Sequence, residues 1–203
     1  MKKAIFVIAV LLLVFGTQTA QAQEALKKIR EHYSSAKTYI ENVKKLEEEG
    51  EIYPVPEYFL AKMKQNLPGT GYHEEDVYMY YREEEVDEIY PPLYLDFATM
   101  KYNFAAREFY EEYLYDEQGH IQFIYSSYPD MDEGKLREFR FYFDKGRLFN
   151  VIVKNCKFDQ DEFVNEYSGK TVPTKYNGEY QSKVETSTRI MKLFTAFLGT
   201  RHL

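Results

Sequence analysis

The feature that most constrains the fold is a series of aromatic and β-branched runs, interrupted at short intervals by turn residues. Short runs of this kind, with no helical pattern between them, predict an antiparallel sheet whose strands pair in sequence order. The runs cover residues 58–64, 77–90, 93–104, 107–115, 120–128, 136–143 and 147–153. We therefore expect a curved antiparallel meander of about six or seven strands.

Two connections repeat one hairpin pattern, in which an aromatic strand is followed by an aspartate and a short turn that a glycine closes. The first runs from Tyr113 through Asp116 to Gly119, and the second runs from Asp144 to Gly146. Aspartate accepts hydrogen bonds from the local backbone, and glycine supplies the positive φ that a tight hairpin requires. Both segments therefore predict antiparallel hairpins.

Alternation in the second hairpin assigns side chains to the two faces of the sheet. Apolar residues at every second position predict a buried face, and the polar residues between them predict a face in water. The predicted buried set is Phe139, Phe141, Phe143, Phe149, Val151 and Val153. The set predicted to face solvent is Glu138, Arg140 and Asn150.

Helical patterns flank the strands on both sides. Near the N terminus, apolar residues recur at steps of three and four, the pattern of one helical face, and Gly50 can end this helix. They are Leu26, Ile29, Tyr33, Ala36, Ile40 and Val43. Near the C terminus, Ser182 and Glu185 form a capping-box pattern that predicts a helix start, and Gly199 predicts its end. The polar segment before this helix is predicted to hold turns, with one helical turn near 161–167.

These elements define the predicted fold class as α+β. An N-terminal helix, the antiparallel meander and a C-terminal helix form one domain, because the chain is long enough to bury a single core. We expect the C-terminal helix to pack on one face of the curved sheet and the N-terminal helix to pack on the same face.

The first 22 residues have the features of a cleavable secretory signal. Lys2 and Lys3 form a short basic region, an uncharged apolar run covers 4–16, and Ala20 and Ala22 form an A-x-A cleavage site. The apolar run is shorter than the stretch of about 20 residues that spans a bilayer. We predict cleavage that leaves a mature domain at 23–203, without a membrane anchor, in the periplasm or secreted. The alternative is an N-terminal membrane anchor.

The charge of the chain narrows the choice of partners. The 26 basic and 33 acidic side chains give a net charge of −7, and loss of Lys2 and Lys3 with the signal brings the mature domain to −9. Such a surface repels phosphate backbones and anionic membranes, so nucleic acid is not predicted as a partner. A protein or a small-molecule ligand, neutral or cationic, is expected instead.

The chain contains one cysteine, Cys156, and therefore cannot form an internal disulfide. This cysteine follows the apolar run 148–153 of a predicted strand, which favours a buried and unreactive thiol. A reactive or intermolecular cysteine is the alternative.

Some fragments resemble functional motifs but lack a required residue at the spacing that the motif needs. The segment 168–171 ends like a phosphate loop, but Val164 stands where that motif needs a glycine. Glu74 stands where a dinucleotide fingerprint that begins at Gly69 needs its third glycine. The four histidines and the acidic run 130–134 lack metal-ligand spacing. The sequence therefore predicts no catalytic residue, no cofactor and no metal.

Tyrosine is frequent in this chain, which has 20 tyrosines and 15 phenylalanines but no tryptophan. An aromatic β core explains this composition most simply, and a tyrosine-rich binding face is the alternative. The segment 67–73 combines a proline, flexible residues and two aromatic rings in one loop, and loops on a rigid sheet often carry contacts. We predict a ligand or partner contact there, formed by Pro68, Thr70, Tyr72 and His73.

The layout of signal, helix, Pro-Gly loop and hairpin resembles that of small exported α+β domains of unknown function in Gram-negative bacteria. The hairpin residues that carry the resemblance are Tyr113, Tyr115, Asp116 and Gly119. The resemblance implies an envelope or secreted domain and carries over no catalytic residue. The leading hypothesis is an exported, non-catalytic binding or envelope-associated domain. Two alternatives stay open: a small periplasmic hydrolase or isomerase with an acid–base pair between sheet and helix, and an inhibitor or assembly factor that acts through a sheet edge.

Overall fold

A computed structural model describes residues 2–50, 58–69, 71–87 and 91–199, with side chains described from Ala22 onward. Within these ranges lie a long N-terminal helix, eight strands, a 3₁₀ turn and a C-terminal helix. In chain order they are α1 (Lys2–Glu48), β1 (Tyr58–Leu67), β2 (Gly71–Glu83), β3 (Leu93–Phe104), β4 (Arg107–Tyr115), β5 (Ile121–Asp130), β6 (Lys135–Asp144), β7 (Arg147–Lys157), β8 (Val164–Gly169), the 3₁₀ turn (Thr174–Tyr176) and α2 (Asn177–Leu198).

The strands form one antiparallel sheet in which the spatial order is the chain order, β1 to β8. Local connections therefore join all neighbours, which is the meander predicted from the sequence. The predicted runs correspond to β1–β7, and two of them, 93–104 and 107–115, match β3 and β4 residue for residue. The hairpin glycines Gly119 and Gly146 have positive φ, as their pattern requires. The α+β class is confirmed, with eight strands instead of six or seven.

The additional strand is β8, which lies where a helical turn was predicted near 161–167. It pairs with β7 only and forms one edge of the sheet. Most of its side chains are exposed, Val164 among them at 60%. An edge strand needs one hydrogen-bonded neighbour and no fully buried face, so no apolar alternation marks β8 in the sequence.

The two helices cover opposite faces of the sheet and give the molecule three layers. α1 packs on one face, called the α1 face below, through residues that include Ile29, Ala36 and Val43. α2 packs on the other face, called the α2 face, through residues that include Ile190 and Phe194. The C-terminal helix thus packs on one face as predicted, whereas the N-terminal helix lies on the opposite face and not on the same one.

Both faces can hold a helix because apolar residues occupy consecutive positions in the central strands. Met79 and Tyr81 point to the α2 face, and Tyr80 between them points to the α1 face. The alternation in the second hairpin predicted that the face of Glu138 and Arg140, which is the α1 face, lies in water. Next to α1 this face is instead buried, and Tyr142 on it is only 4% exposed. Farther from α1, this face carries solvent-accessible ion pairs across the strands.

Local signals set the helix ends. All six residues of the predicted N-terminal stripe lie in or against the core under α1, and Gly50, with a φ of +72°, follows the helix. α2 starts at Asn177, so the predicted cap Ser182 lies inside the helix. The start is earlier because Pro173 and the 3₁₀ turn lead directly into α2. Gly199 follows the last residue of α2, as predicted.

α1 is one continuous helix through the predicted cleavage site, and Ala20 and Ala22 both lie within it. The first residue of the predicted stripe, Leu26, comes after that site and contacts the core. In the part of the chain that the structure describes, no helix is both long and apolar enough to cross a bilayer.

Three β-bulges bend the sheet near one end. Each inserts one extra residue: Asp96 in β3, Gln122 in β5 and Phe149 in β7. A bulge interrupts the alternation of side chains, so Phe149 joins the core on the α1 face, although it was predicted to lie on the face of Phe139. The β2–β3, β4–β5 and β6–β7 connections lie at this end, which is called the loop end below.

Candidate functional site

A cleft of about 790 Å³ opens at the loop end, between α1, the end of β2 and the β4–β5 turn. Clefts of this size hold small ligands or a few side chains of a partner. It is called the loop-end cleft below. Its lining includes Tyr39 from α1, Arg82, Glu83, Glu84 and Glu85 from β2 and the residues after it, Tyr94 from β3, and Glu117 from the turn.

Beside the cleft, two of the bulges aim polar side chains at His32 of α1. Asp96 is 2% exposed, and its Oδ1 lies 2.6 Å from His32 Nε2. Arg82 Nε donates a hydrogen bond of 2.7 Å to the other carboxylate oxygen of Asp96. Gln122 Oε1 lies 2.8 Å from His32 Nδ1. These four residues are called the His32 cluster below.

The extra residue of each bulge is what brings this cluster together. Phe97 and Phe123 follow Asp96 and Gln122 in their strands and occupy the α1 face. In a regular strand the preceding side chain would point to the opposite face, away from α1. The bulges therefore place both polar side chains on the face that His32 covers.

Hydrogen bonding in the cluster favours charged forms. Burial lowers the pKa of His32, but hydrogen bonds to Asp96 and Gln122 raise it more, so the pKa lies above its ordinary value of 6.5. Burial raises the pKa of Asp96, but hydrogen bonds from His32 and Arg82 lower it more, to below 3.8. The cluster is therefore a buried carboxylate held between two cations in slightly acidic solution.

The bonding of His32 also bears on the acid–base alternative. A general base needs a ring nitrogen that is free to take a proton from a substrate. Both ring nitrogens of His32 lie within hydrogen-bond distance of protein oxygens, at 2.6 and 2.8 Å. Asp96 in turn has both oxygens engaged. In this arrangement the pair fastens α1 to the sheet and offers no free group for proton transfer.

Arg82 connects the His32 cluster to the wall of the cleft. Its guanidinium carbon lies 4.7 Å from the centre of the Tyr39 ring, within the range of a cation–π contact. Its Nε donates to Asp96 on the other side. The cleft wall thus already holds one guanidinium between a carboxylate and an aromatic face.

The cleft carries carboxylates whose charge is not matched by cations. Glu83, Glu84, Glu85 and Glu117 are exposed and form no ion pair with any residue that the structure describes. Elsewhere, most carboxylates in the strands are paired with cations, as Glu112 is with Lys37 at 2.7 Å. The loop-end cleft is therefore a locus of unbalanced negative charge.

A smaller cavity of about 290 Å³ adjoins the cleft at the β4–β5 turn. His32 and Gln122 line it, and it shares Tyr94 and Glu117 with the loop-end cleft. The exposed His120 of the same turn lies 3.2 Å from Asp116. Solvent in this cavity reaches the His32 cluster from the side of the turn.

A second buried charge cluster lies under α2 and is closed by protein groups. Lys183 Nζ donates to Glu111 at 2.6 Å, and both side chains are nearly inaccessible. The hydroxyls of Tyr102 and Tyr113 also donate to Glu111. Burial lowers the pKa of Lys183, but the charge of Glu111 and that of Glu179 raise it above the ordinary 10.5. This cluster anchors α2 and neither cavity described above reaches it.

The structure describes three of the four residues of the predicted contact loop. Pro68 is exposed at the β1–β2 turn, and Thr70 lies outside the described residues. Tyr72 is 52% exposed on the α1 face, whereas His73, the next residue of β2, faces the other side and contacts the Asn103 carbonyl at 2.5 Å. These residues lie at the end of the sheet opposite the loop-end cleft.

No motif or spacing in the sequence marks the glutamates of the cleft or His32, which is one of four histidines without metal-ligand spacing. Two local signals point to the cluster. Asp96 interrupts an apolar run in a predicted central strand, and a charge there needs a partner. His32 is next to Tyr33 in the apolar stripe of α1, which places it at the border of the buried face.

Cys156 is buried and free, as the sequence predicts, and its Sγ lies 2.9 Å from the Gln160 carbonyl oxygen. Among the described residues, no three histidine, cysteine or carboxylate side chains converge in a way that could hold a metal ion. Comparison of the chain with protein-family models, with curated proteins and with solved structures gives no match.

Proposed function

We propose that this protein is an exported, non-catalytic binding domain that holds a positively charged ligand in the loop-end cleft. The observation that carries the proposal is a cavity of about 790 Å³ with tyrosine and carboxylate walls. Its size suits a small cationic molecule or a basic side chain of a peptide. The acidic charge of the whole chain, −7, adds attraction for such ligands at long range.

The chemistry of the walls supports a cation as the ligand. Carboxylates beside low-dielectric walls attract a cation more strongly than carboxylates on an open surface. Tyrosine rings add cation–π attraction on their faces. Arg82, held between Asp96 and the Tyr39 ring, is an example within the protein of how a guanidinium fits here.

Binding without catalysis is supported by the His32 cluster. Both ring nitrogens of His32 and both oxygens of Asp96 are already engaged, so neither group is free to move a substrate proton. The remaining acids of the cleft are exposed glutamates, which attract cations but sit in water. The arrangement therefore suits recognition better than acid–base chemistry.

The proposal is tested by titrating spermidine and an arginine-containing tripeptide into the protein in a calorimeter at low salt. The triple variant Glu83→Gln, Glu84→Gln, Glu85→Gln should weaken binding at least about tenfold, because three attractive charges are lost. The matched control is Glu47→Gln, Glu48→Gln, Glu49→Gln, which removes the same charge from the exposed end of α1. This control should bind nearly as the unmodified protein does.

Equal weakening in both triple variants would show that only overall charge attracts the probes, and the cleft would then be the wrong site. Tyr72→Ala with His73→Ala provides a second comparison at the opposite end of the sheet. This double variant should bind as the unmodified protein does. A loss confined to it would move the site to the contact that the sequence predicts at the β1–β2 turn.

A further inference from the structure

The bonding of His32 defines the charge state that the fold selects. Its Nε2 faces the Asp96 carboxylate and its Nδ1 faces the amide oxygen of Gln122, at 2.6 and 2.8 Å. Both facing atoms are acceptors, and only the imidazolium form of histidine can donate from both nitrogens at once. The geometry of the cluster is therefore that of a protonated histidine.

Loss of one proton changes both contacts. The remaining proton stays on Nε2, because the buried Asp96 carboxylate needs the donor. Nδ1 then becomes an acceptor that faces the acceptor Oε1 of Gln122, and the amide must turn over to restore a hydrogen bond. The bond to Asp96 also changes from an ion pair to a hydrogen bond from a neutral ring, which is weaker because the attraction between opposite charges is lost.

The charged groups around His32 favour the protonated form on balance. Asp96 of β3 attracts the imidazolium directly, and Arg82 of β2 opposes it from the far side of Asp96. Asp116 and Glu117 of the β4–β5 turn and Tyr94 of β3 line the adjoining cavity. On α1 itself, Lys28 one turn earlier and Glu31, the residue before His32, are exposed and of opposite sign.

We propose that His32 is a pH-operated latch that fastens α1 to β3 through Asp96 and to the start of β5 through Gln122, and that deprotonation loosens this part of the loop end. The latch joins elements that are far apart in sequence, since His32 is 64 residues from Asp96 and 90 from Gln122. Histidine suits this role because its charge changes between about pH 5 and 8. The inference does not depend on which ligand the cleft holds.

Amide hydrogen exchange with pH, corrected for the intrinsic exchange rate, tests the latch, together with an NMR titration of the His32 ring. Protection of amides in 29–37 and 120–123 should fall roughly fivefold as pH rises through the His32 midpoint. Amides of α2 should not follow this transition. His120→Gln is the matched control, because it removes the exposed histidine of the β4–β5 turn and should keep the transition.

Two variants keep the test decisive. His32→Gln should abolish the transition. Gln122→Glu keeps His32 and places a carboxylate beside Nδ1, so it should raise the His32 midpoint by about 1 pH unit and move the exchange transition with it. The latch is refuted if protection stays constant while His32 titrates, if the transition survives in His32→Gln, or if Gln122→Glu shifts the titration and leaves the exchange transition in place.

Discussion

Eight tyrosine hydroxyls donate to carboxylates in the described part of the chain. The pairs are Tyr33–Glu112, Tyr58–Glu47, Tyr72–Glu74, Tyr102–Glu111, Tyr110–Glu112, Tyr113–Glu111, Tyr125–Glu138 and Tyr176–Glu166. Burial raises the pKa of Tyr110 above its ordinary value of 10, and Glu112 beside it raises the pKa further. The phenol therefore keeps its proton and remains a hydrogen-bond donor. Tyrosine thus provides both an apolar ring for the core and a hydroxyl that donates to buried carboxylates.

This pairing gives the tyrosine-rich composition a structural explanation. A carboxylate on a buried strand position needs hydrogen bonds and a counter-charge. Glu112 is 3% exposed and receives both, from two tyrosines and from Lys37 at 2.7 Å. Many tyrosines here thus replace water around carboxylates inside the layers, which agrees with the aromatic-core interpretation of the sequence.

Asp96 should contribute stability that depends on pH in a defined direction. Asp96→Asn keeps the shape but removes the anion that Arg82 and His32 share, so we expect a loss of about 2 kcal/mol near neutral pH. The pKa of Asp96 is lowered by folding, so this stabilisation is present above the ordinary value of 3.8 and is lost as pH falls through the lower folded pKa. Urea unfolding at pH 7 and at pH 3 measures it.

Asp132→Asn, in the exposed β5–β6 turn, is the matched control for Asp96→Asn. It should change the free energy of unfolding by less than about 0.5 kcal/mol. A difference between Asp96→Asn and the unmodified protein that stays the same at pH 3 would mean that the Asp96 charge does not stabilise the fold.

At the scale of elements, the sequence predicts regular helices and strands well and β-bulges poorly. The limits of β3 and β4 follow from runs of strand-forming residues, and the apolar stripe of α1 follows from its spacing. A bulge adds one residue and leaves the composition unchanged, so it has no periodic signal. Phe149 was therefore assigned to the wrong face, and the convergence of Asp96 and Gln122 on His32 has no signal in the periodicity of the strands.

The candidate site could not be predicted from the sequence for a related reason, which is that it depends on contacts between distant elements. It needs α1, the end of β2 and the β4–β5 turn to meet, and these are separated by long stretches of chain. Local periodicity assigns a residue to a face of its own element but does not say which elements adjoin it. Where each helix lies also depends on which face of the sheet it covers, and both faces of the central strands are apolar.

The close packing of α1 on the sheet yields a prediction at this scale. Ala36 is fully buried in the core between α1 and the sheet. Ala36→Leu adds volume to a filled interface, so the free energy of unfolding should fall by about 2 kcal/mol. Ser35→Leu, one residue earlier and exposed, should have little effect. Equal losses in the two variants would show that α1 does not pack closely at Ala36.

In the whole molecule, the sheet lies between two helices. α1 comes first in the chain and α2 last, and each covers a different face of the strands between them. The polar connections and the loop-end cleft lie at one end of the strands, whereas the predicted contact at Tyr72 lies at the other. Cleavage after Ala22 would leave the described contacts of α1 from Leu26 onward in the mature domain.

The predicted signal leads to a test of export for the whole molecule. When the full chain is produced in a Gram-negative host, the protein recovered from periplasm or medium should begin at Gln23, as measured by intact mass. Ala20→Lys with Ala22→Lys should block cleavage, because the A-x-A site requires small residues. Gln21→Lys, at the tolerant middle position, is the control. Recovery of the uncleaved chain in the cytoplasm would contradict the signal.

The order of the meander has a consequence for how the protein is made. Synthesis from the N terminus makes α1 before any strand that it covers. Each new strand can then pair with the strand before it through local contacts. The α2 face stays uncovered until α2 appears, because this helix follows all eight strands in the chain. During synthesis the sheet thus carries one exposed apolar face, and docking of α2 is the step that ends its exposure to aggregation.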